Sequence, residues 1–276
     1  MYKYRKHLRG SFLNYCVGLI IFFSFIFLGV FGAILSEGEK LKNIDFVLIV
    51  YIIVGMFVLI LLEFTLLYFL LLKRFKYINV TLTDDAIIYI NKNKKKIIPY
   101  DEIKQIRYPS IKYTGGWMEV KYNGGKIRLT VVLEKIGEFM YQLKEILDER
   151  GKSNVYNEKK SFSFFKTASF SDESWDRLYK NIKYIIIMEY VSLLTTIILA
   201  FFGMIQYSGF AIIVGIFAPI IGYIFTEIII GIRVSKRVVD GEFKLIARDS
   251  NKEKKMMKVS IATSVIICAF IMIFIS

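Results

Sequence analysis

Histidine occurs once in the 276 residues, cysteine twice and proline three times. Each scarcity removes a class of chemistry. A lone His7, in a basic stretch at the chain start, leaves no second imidazole for a metal centre and no HExxH motif. It reads as an exposed electrostatic residue. Cys16 and Cys268 lie inside long apolar runs without CxxC spacing, so they read as small hydrophobes, and a membrane interior gives no reason to expect a disulfide. No nucleophile elbow is present. A phosphate loop is missing too, since Gly125–Lys126 is followed by Ile127 where a hydroxyl residue is needed. Asp84–Asp85 and Asp101–Glu102 stand where turns or a short helical start belong, and read as such rather than as a cation site. No catalytic, cofactor-binding or metal residue is assigned, and the chain reads as non-enzymatic.

What is abundant is apolar: 55 % of residues are hydrophobic, beside 22 % charged. Five runs carry most of it, Phe12–Leu35, Phe46–Leu72, Tyr184–Gln206, Phe210–Ile232 and Val259–Ile275. Each is about long enough to cross a hydrocarbon core, which takes roughly 20 residues of helix. The first exceeds the apolar stretch of a signal peptide, about 7–15 residues, and no small-x-small cleavage site follows Leu35, so it reads as an uncleaved span.

Charge is sorted by these runs. With the N-terminus inside, all 38 Lys and Arg except Lys40 and Lys42 fall on the inner side, and those two share a short loop with Glu37, Glu39 and Asp45. That is the positive-inside pattern of a multi-pass protein. It predicts five spans, an inner N-terminus and an outer C-terminus. It also accounts for the net charge of +14 without nucleic acid. Usage rich in Lys, Ile, Asn and Tyr suits an AT-rich bacterial genome, and the expected location is the bacterial cytoplasmic membrane.

Between the second and third runs the period changes from helical to alternating. Val80–Leu82, Ala86–Ile90 and Lys95–Ile98 are short and β-branched, separated by Thr83–Asp84–Asp85 and Asn91–Lys92–Asn93–Lys94. Pro99 lacks an amide donor and should close the third strand. Met118–Tyr122 and Lys126–Val132 flank Asn123–Gly124–Gly125, with Met118, Val120 and Tyr122 alternating with Glu119 and Lys121, the pattern of a tight hairpin. Ile136, Phe139, Leu143, Ile146 and Leu147 then share one helical face. The expectation is an antiparallel sheet capped by a terminal helix, with a core that Tyr77–Glu149 supplies by itself.

The stretches Leu82-Thr-Asp-Asp-Ala-Ile-Ile-Tyr-Ile90, Ile97-Ile-Pro-Tyr-Asp-Glu-Ile103 and Gly115-Gly-Trp-Met-Glu-Val-Lys-Tyr122, followed by that helix, resemble bacterial PH-like domains. The likeness covers Tyr77–Glu149. It implies a PH-like barrel with a C-terminal helix, set after a transmembrane hairpin, and a binding or scaffolding role rather than catalysis. The expected fold is thus a five-helix membrane bundle with an inserted cytoplasmic α+β PH-like module. Its parts are an N-terminal tail and hairpin at 1–76, the module at 77–150, a linker with an interfacial helix at 151–183, and three spans with a basic loop at 184–276.

Within 151–183, Gly151–Phe170 reads as a polar, Ser/Phe-rich linker. Ser171–Asp172–Glu173 then supplies a cap and an acidic first turn for a helix carrying Trp175, Leu178, Tyr179 and Ile182 on one stripe. This is either an in-plane helix anchored by Trp175 or a helix packed on the module.

Two groups of residues are candidate sites. Lys92, Lys94, Lys95 and Lys96 crowd one hairpin tip and, with Trp175, are candidate contacts for membrane lipid or a protein partner. Near an anionic leaflet each cation contributes roughly 1 kcal/mol. Glu63, Glu189 and Glu227 lie inside apolar runs, where an ionised carboxylate costs about 2.5–3.5 kcal/mol unless it faces other helices. They suggest either locally satisfied polar residues or a polar cluster of a small transporter or channel. Ala218 and Gly222, flanking Pro219, form a small-xxx-small pair suited to close helix approach. The reading is a membrane protein that engages anionic lipid, a protein partner or a second copy, without a cofactor.

Overall fold

The computed structural model describes residues 1–37, 43–111, 115–206, 209–237, 243 and 247–275. The loop of Glu39, Lys40 and Lys42, the turn residues Tyr207 and Ser208, and most of the stretch between Arg237 and Ala247, within the basic loop, lie outside them. Among the described residues five helices are long and apolar enough to cross a membrane. They are α1 (Phe12–Glu37), α2 (Asn43–Leu67), α5 (Glu158–Phe201), α6 (Gly209–Arg237) and α7 (Ser250–Ile275), the architecture of a multi-pass membrane protein.

The chain divides into two compact units. A sheet unit comprises Met1–Gly10, Leu67–Asp176 and Gly231–Arg248; a helical unit comprises Ser11–Leu66, Arg177–Ile230 and Asp249–Ser276.

The sheet unit holds two antiparallel sheets. The first orders β1 (Tyr2–Lys3), β2 (Ile78–Leu82), β3 (Ala86–Asn91) and β4 (Lys94–Pro99) side by side, with Tyr2 opposite Val80 and Val80 opposite Tyr89. In the second, β7 (Gly115–Tyr122) pairs with β8 (Gly125–Thr130), with β5 (Ile103–Arg107) and, at its start, with β6 (Ser110–Ile111). The chain start joins the two. Tyr4 bridges Leu133 just after β8, the Arg5 amide donates to Val132 at 3.3 Å, and the Glu134 amide donates to Lys3 at 2.9 Å. What reads as a tail is a strand.

Local chemistry explains the turns. Thr83 closes the β2–β3 turn, its hydroxyl donating to the Ala86 carbonyl at 2.9 Å and accepting from the Ala86 amide at 3.2 Å. The β7–β8 loop is Asn123–Gly124, yet the left-handed backbone falls on Gly125, at φ 126°, the first residue of the return strand. In the β3–β4 turn Lys92 takes the left-handed position at φ 55°. Glu119 departs from the alternation expected of β7 by being buried. It lies opposite Arg128, whose Nε donates to it at 2.7 Å, with Lys126 at 3.5 Å, so two long basic side chains cover it. That Arg128 hydrogen bond holds its carboxyl below the usual range.

Helix α4 (Ile136–Glu149) lays Ile136, Phe139, Met140, Leu143 and Leu147 on the core, with Ile146 partly buried. The core does not end there. Tyr2 enters from β1 and Tyr4 from just after it, and Phe164, Phe165 and Ala168 enter from α5. The expected linker Gly151–Phe170 is therefore helical from Glu158 onward, capped by Asn157, whose Oδ1 accepts from the Lys160 amide at 3.0 Å. No separate interfacial helix begins at Ser171. Residues 161, 164, 165 and 168 form an i, i+3, i+4, i+7 stripe, so packing overrides the weak helix propensity of the serines.

In the helical unit the small pair on α6 does what its size allows. A side chain at Gly222 would meet the Ser260 carbonyl oxygen at 2.7 Å and Ile261 Cα at 2.8 Å, so α6 and α7 touch backbone to backbone. Ser264 and Ser260 hydroxyls donate to the Ala218 and Gly222 carbonyls at 2.6 and 3.1 Å. Pro219 sits inside α6, which continues past it. On α1, Phe23 meets Phe57 of α2 edge-on with centroids 4.8 Å apart, and Ser24 shares a hydrogen bond with Tyr190 of α5 at 2.5 Å.

Candidate functional site

In the sheet unit, the candidate lysines stand on an edge. Among the described residues strand β4 pairs only with β3, and Lys92, Lys94, Lys95 and Lys96 are all exposed, as is Ile97. Two of them face a groove. A π-helical turn, Tyr68–Leu72, follows α2 and leads into the short helix α3 (Lys73–Phe75). Phe69, Lys73, Arg74 and Tyr77 from this segment, with Lys92 and Lys94 from the hairpin, line a groove of about 490 Å³. Its rim holds four cations and, among the described residues, no carboxylate. The Lys73 ammonium lies 5.1 Å from the Phe69 ring centroid. Lys95 and Lys96 are outside the groove. Sequence reading missed Lys73 and Arg74 as members, because they belong to the positive-inside flank of a span; the register that brings them to β4 is tertiary.

A second groove, of about 930 Å³, runs beside the edge strand β5 and the start of α5, with Lys104, Arg107 and Lys160 among polar lining residues.

Trp175 is partly buried and engaged within the sheet unit. His7 stacks on its ring at 4.1 Å, and the Arg5 guanidinium carbon lies 5.9 Å from its centroid. His7 is thus not the exposed tail residue expected; burial, with Arg5 second, pushes its pKa down. Arg5 is buried and paired with Asp172, which also accepts from the Lys135 amide at 3.2 Å. Burial outweighs Arg5 and pushes Asp172 up to about 6. Farther along α5, Asp176 pairs with Arg248. Phe243, the aromatic of the basic loop, packs on Phe162 and Phe165 at 5.4 and 5.5 Å.

In the helical unit the three carboxylates part company. Glu63 is exposed on α2. Glu227 is held by Arg177, whose Nε and Nη2 donate to its two oxygens at 2.8 and 2.7 Å, while Nη1 reaches Glu253 at 3.5 Å. The Arg177 side chain is 3 % exposed. In the sequence Arg177 adjoins an apolar stripe as a flanking cation; its spacing of four residues from Asn181 puts those two on one face, whereas Glu189, twelve residues on, lies about 120° around the helix. Glu189 is 5 % exposed, and neither carboxylate oxygen has a hydrogen-bond partner among the described residues.

No family model, curated protein or solved structure matches this chain. Among the described residues no group of three or more His, Cys, Asp or Glu is placed to hold a metal ion.

Proposed function

We propose that this is a non-enzymatic integral membrane protein of the bacterial cytoplasmic membrane, whose sheet unit is a PH-like binding or scaffolding module at the inner surface. It engages anionic lipid or a protein partner there. The observation that supports this reading is the display of Lys92, Lys94, Lys95 and Lys96 on an edge hairpin of a well-packed unit, with Lys73 and Arg74 adjoining. A like-signed, ordered edge next to the end of a span is suited to an anionic leaflet or an acidic partner surface. The test is purification of the full chain in mild detergent with identification of co-purifying lipid and protein. The expected result is anionic lipid or a defined protein partner, depleted by replacing the four hairpin lysines with Gln. Recovery of neither would refute the reading.

A second reading, a small transporter or channel, draws on Glu189, a buried carboxylate without a partner among the described residues. Proton and cation flux in reconstituted vesicles decides between them. The binding reading expects none. A flux lost in Glu189→Gln would replace it with transport.

A further inference from the structure

The groove at the end of α2 is graded along the chain. Phe69, Leu67 and Leu70 are exposed apolar residues of the last turns of the apolar run, and Lys73 is the first charge after it. At about 1.5 Å per residue, Phe69 to Lys73 spans about 6 Å, the depth over which hydrocarbon gives way to headgroup. Four cations around about 490 Å³ repel one another until an anion enters. Arg74 offers a planar fork suited to two phosphate oxygens, and Lys73, Lys92 and Lys94 offer ammonium donors around it. The π-helical turn Tyr68–Leu72 sits where the apolar and cationic parts meet, and such turns are common at functional sites.

We infer that this groove is a binding site for the phosphate headgroup of an anionic glycerophospholipid, with the acyl chains lying along the exposed apolar residues Leu67, Phe69 and Leu70. A free phosphate would satisfy the cations alike, but it has no use for an apolar wall that runs directly into a span. The inference rests on the membrane-surface binding reading of the sheet unit and names its ligand and place.

The test uses the full chain in detergent, loaded with phosphatidylglycerol, washed through delipidation, and weighed by native mass spectrometry. The parent should keep one phosphatidylglycerol per chain. The double variant Lys73→Gln/Arg74→Gln should bind it about tenfold more weakly or worse, as expected for removing two cations at an anionic surface. Lys95→Gln/Lys96→Gln should keep it, because those side chains do not line the groove. Equal retention by the groove variant overturns the inference. Loss only in the Lys95/Lys96 variant also overturns it, while leaving lipid engagement by the hairpin standing. Displacement of the lipid by inorganic phosphate at equal concentration would reassign the groove to free phosphate. A protein partner that still co-purifies with the groove variant, when the parent keeps no lipid, refutes the site and spares the broader reading. Should Lys73→Gln/Arg74→Gln elute as aggregate, Lys92→Gln/Lys94→Gln on the exposed hairpin replaces it, with the same expected and overturning outcomes.

Discussion

Asp172 and His7 face the same short stretch of chain and titrate in opposite senses. Asp172 is raised from 3.8 to about 6 by burial, so the folded unit holds its proton more tightly than the unfolded chain. Its contribution is fully present below about pH 4 and is lost as pH rises through 6, by up to about 3 kcal/mol. His7 is lowered from 6.5, again by burial. Its contribution is present above pH 6.5 and is lost as pH falls through the depressed value. Asp172→Asn should therefore leave stability rising with pH between 4 and 7, and His7→Gln should leave it falling. Trp175 fluorescence during denaturation, in a Trp117→Phe background, reads the difference. Parallel pH profiles for the two variants would refute the assignment. Arg177 makes a different case. Replacing it by Met strands Glu227 and Glu253 against a buried surface, and should cost about 3–5 kcal/mol, seen as a lowered Tm in detergent. Arg177→Lys should fall between, since one ammonium cannot span both Glu227 oxygens. A Met variant as stable as the parent would show that the pair is dispensable.

Among the elements, α5 is where sequence and structure differ most. Its apolar run from Tyr184 is plain to read, and so is the alternation of β2, β3, β7 and β8, because period-two and all-apolar patterns are local. The first part of α5 was hidden by Ser161, Ser163, Ser169 and Ser171, residues that favour loops unless packing overrides them, as the burial of Phe164 and Phe165 does here. Strand β1 was hidden for another reason: two residues carry no period, and only pairing with β2 and the Tyr4–Leu133 bridge defines it. The candidate sites divide likewise. The exposed lysines were legible because charge density is local, whereas the Arg177–Glu227 pair and the Lys73–Lys94 groove depend on distant register. A consequence follows for the module cut out at Tyr77–Glu149. It loses Tyr2, Tyr4, Phe164, Phe165 and Ala168 from its core, and should lack a cooperative thermal transition by circular dichroism. Phe164→Ala in the full chain, removing a fully buried ring, should cost about 3–5 kcal/mol on the sheet unit alone. A sharp transition for Tyr77–Glu149 would show that the contributions of β1 and α5 are marginal.

For the whole molecule, topology is constrained by packing as well as by charge. The sheet unit is assembled from Met1–Gly10 before the first apolar run, Leu67–Asp176 from the end of the second run to before the third, and Gly231–Arg248 from the end of the fourth. The proposed reading expects these water-facing segments to lie on one side of the membrane. That expectation gives Phe12–Leu66 as one out-and-back hairpin and Arg177–Ile230 as another, and it uses no information about lysine or arginine. The positive-inside pattern then supplies the expected sign: in the proposed topology the side of the unit takes all of the basic residues except Lys40 and Lys42. With α7 crossing once more, the proposed topology has the C-terminus opposite the N-terminus. A reporter fused after Ser276 should behave as extracytoplasmic, and one joined before Met1 as cytoplasmic. Both reporters on one side would make α7 lie in the membrane surface rather than cross it. Both reversed would keep the unit intact but place its cationic hairpin outside, away from the inner leaflet that the proposed lipid site requires.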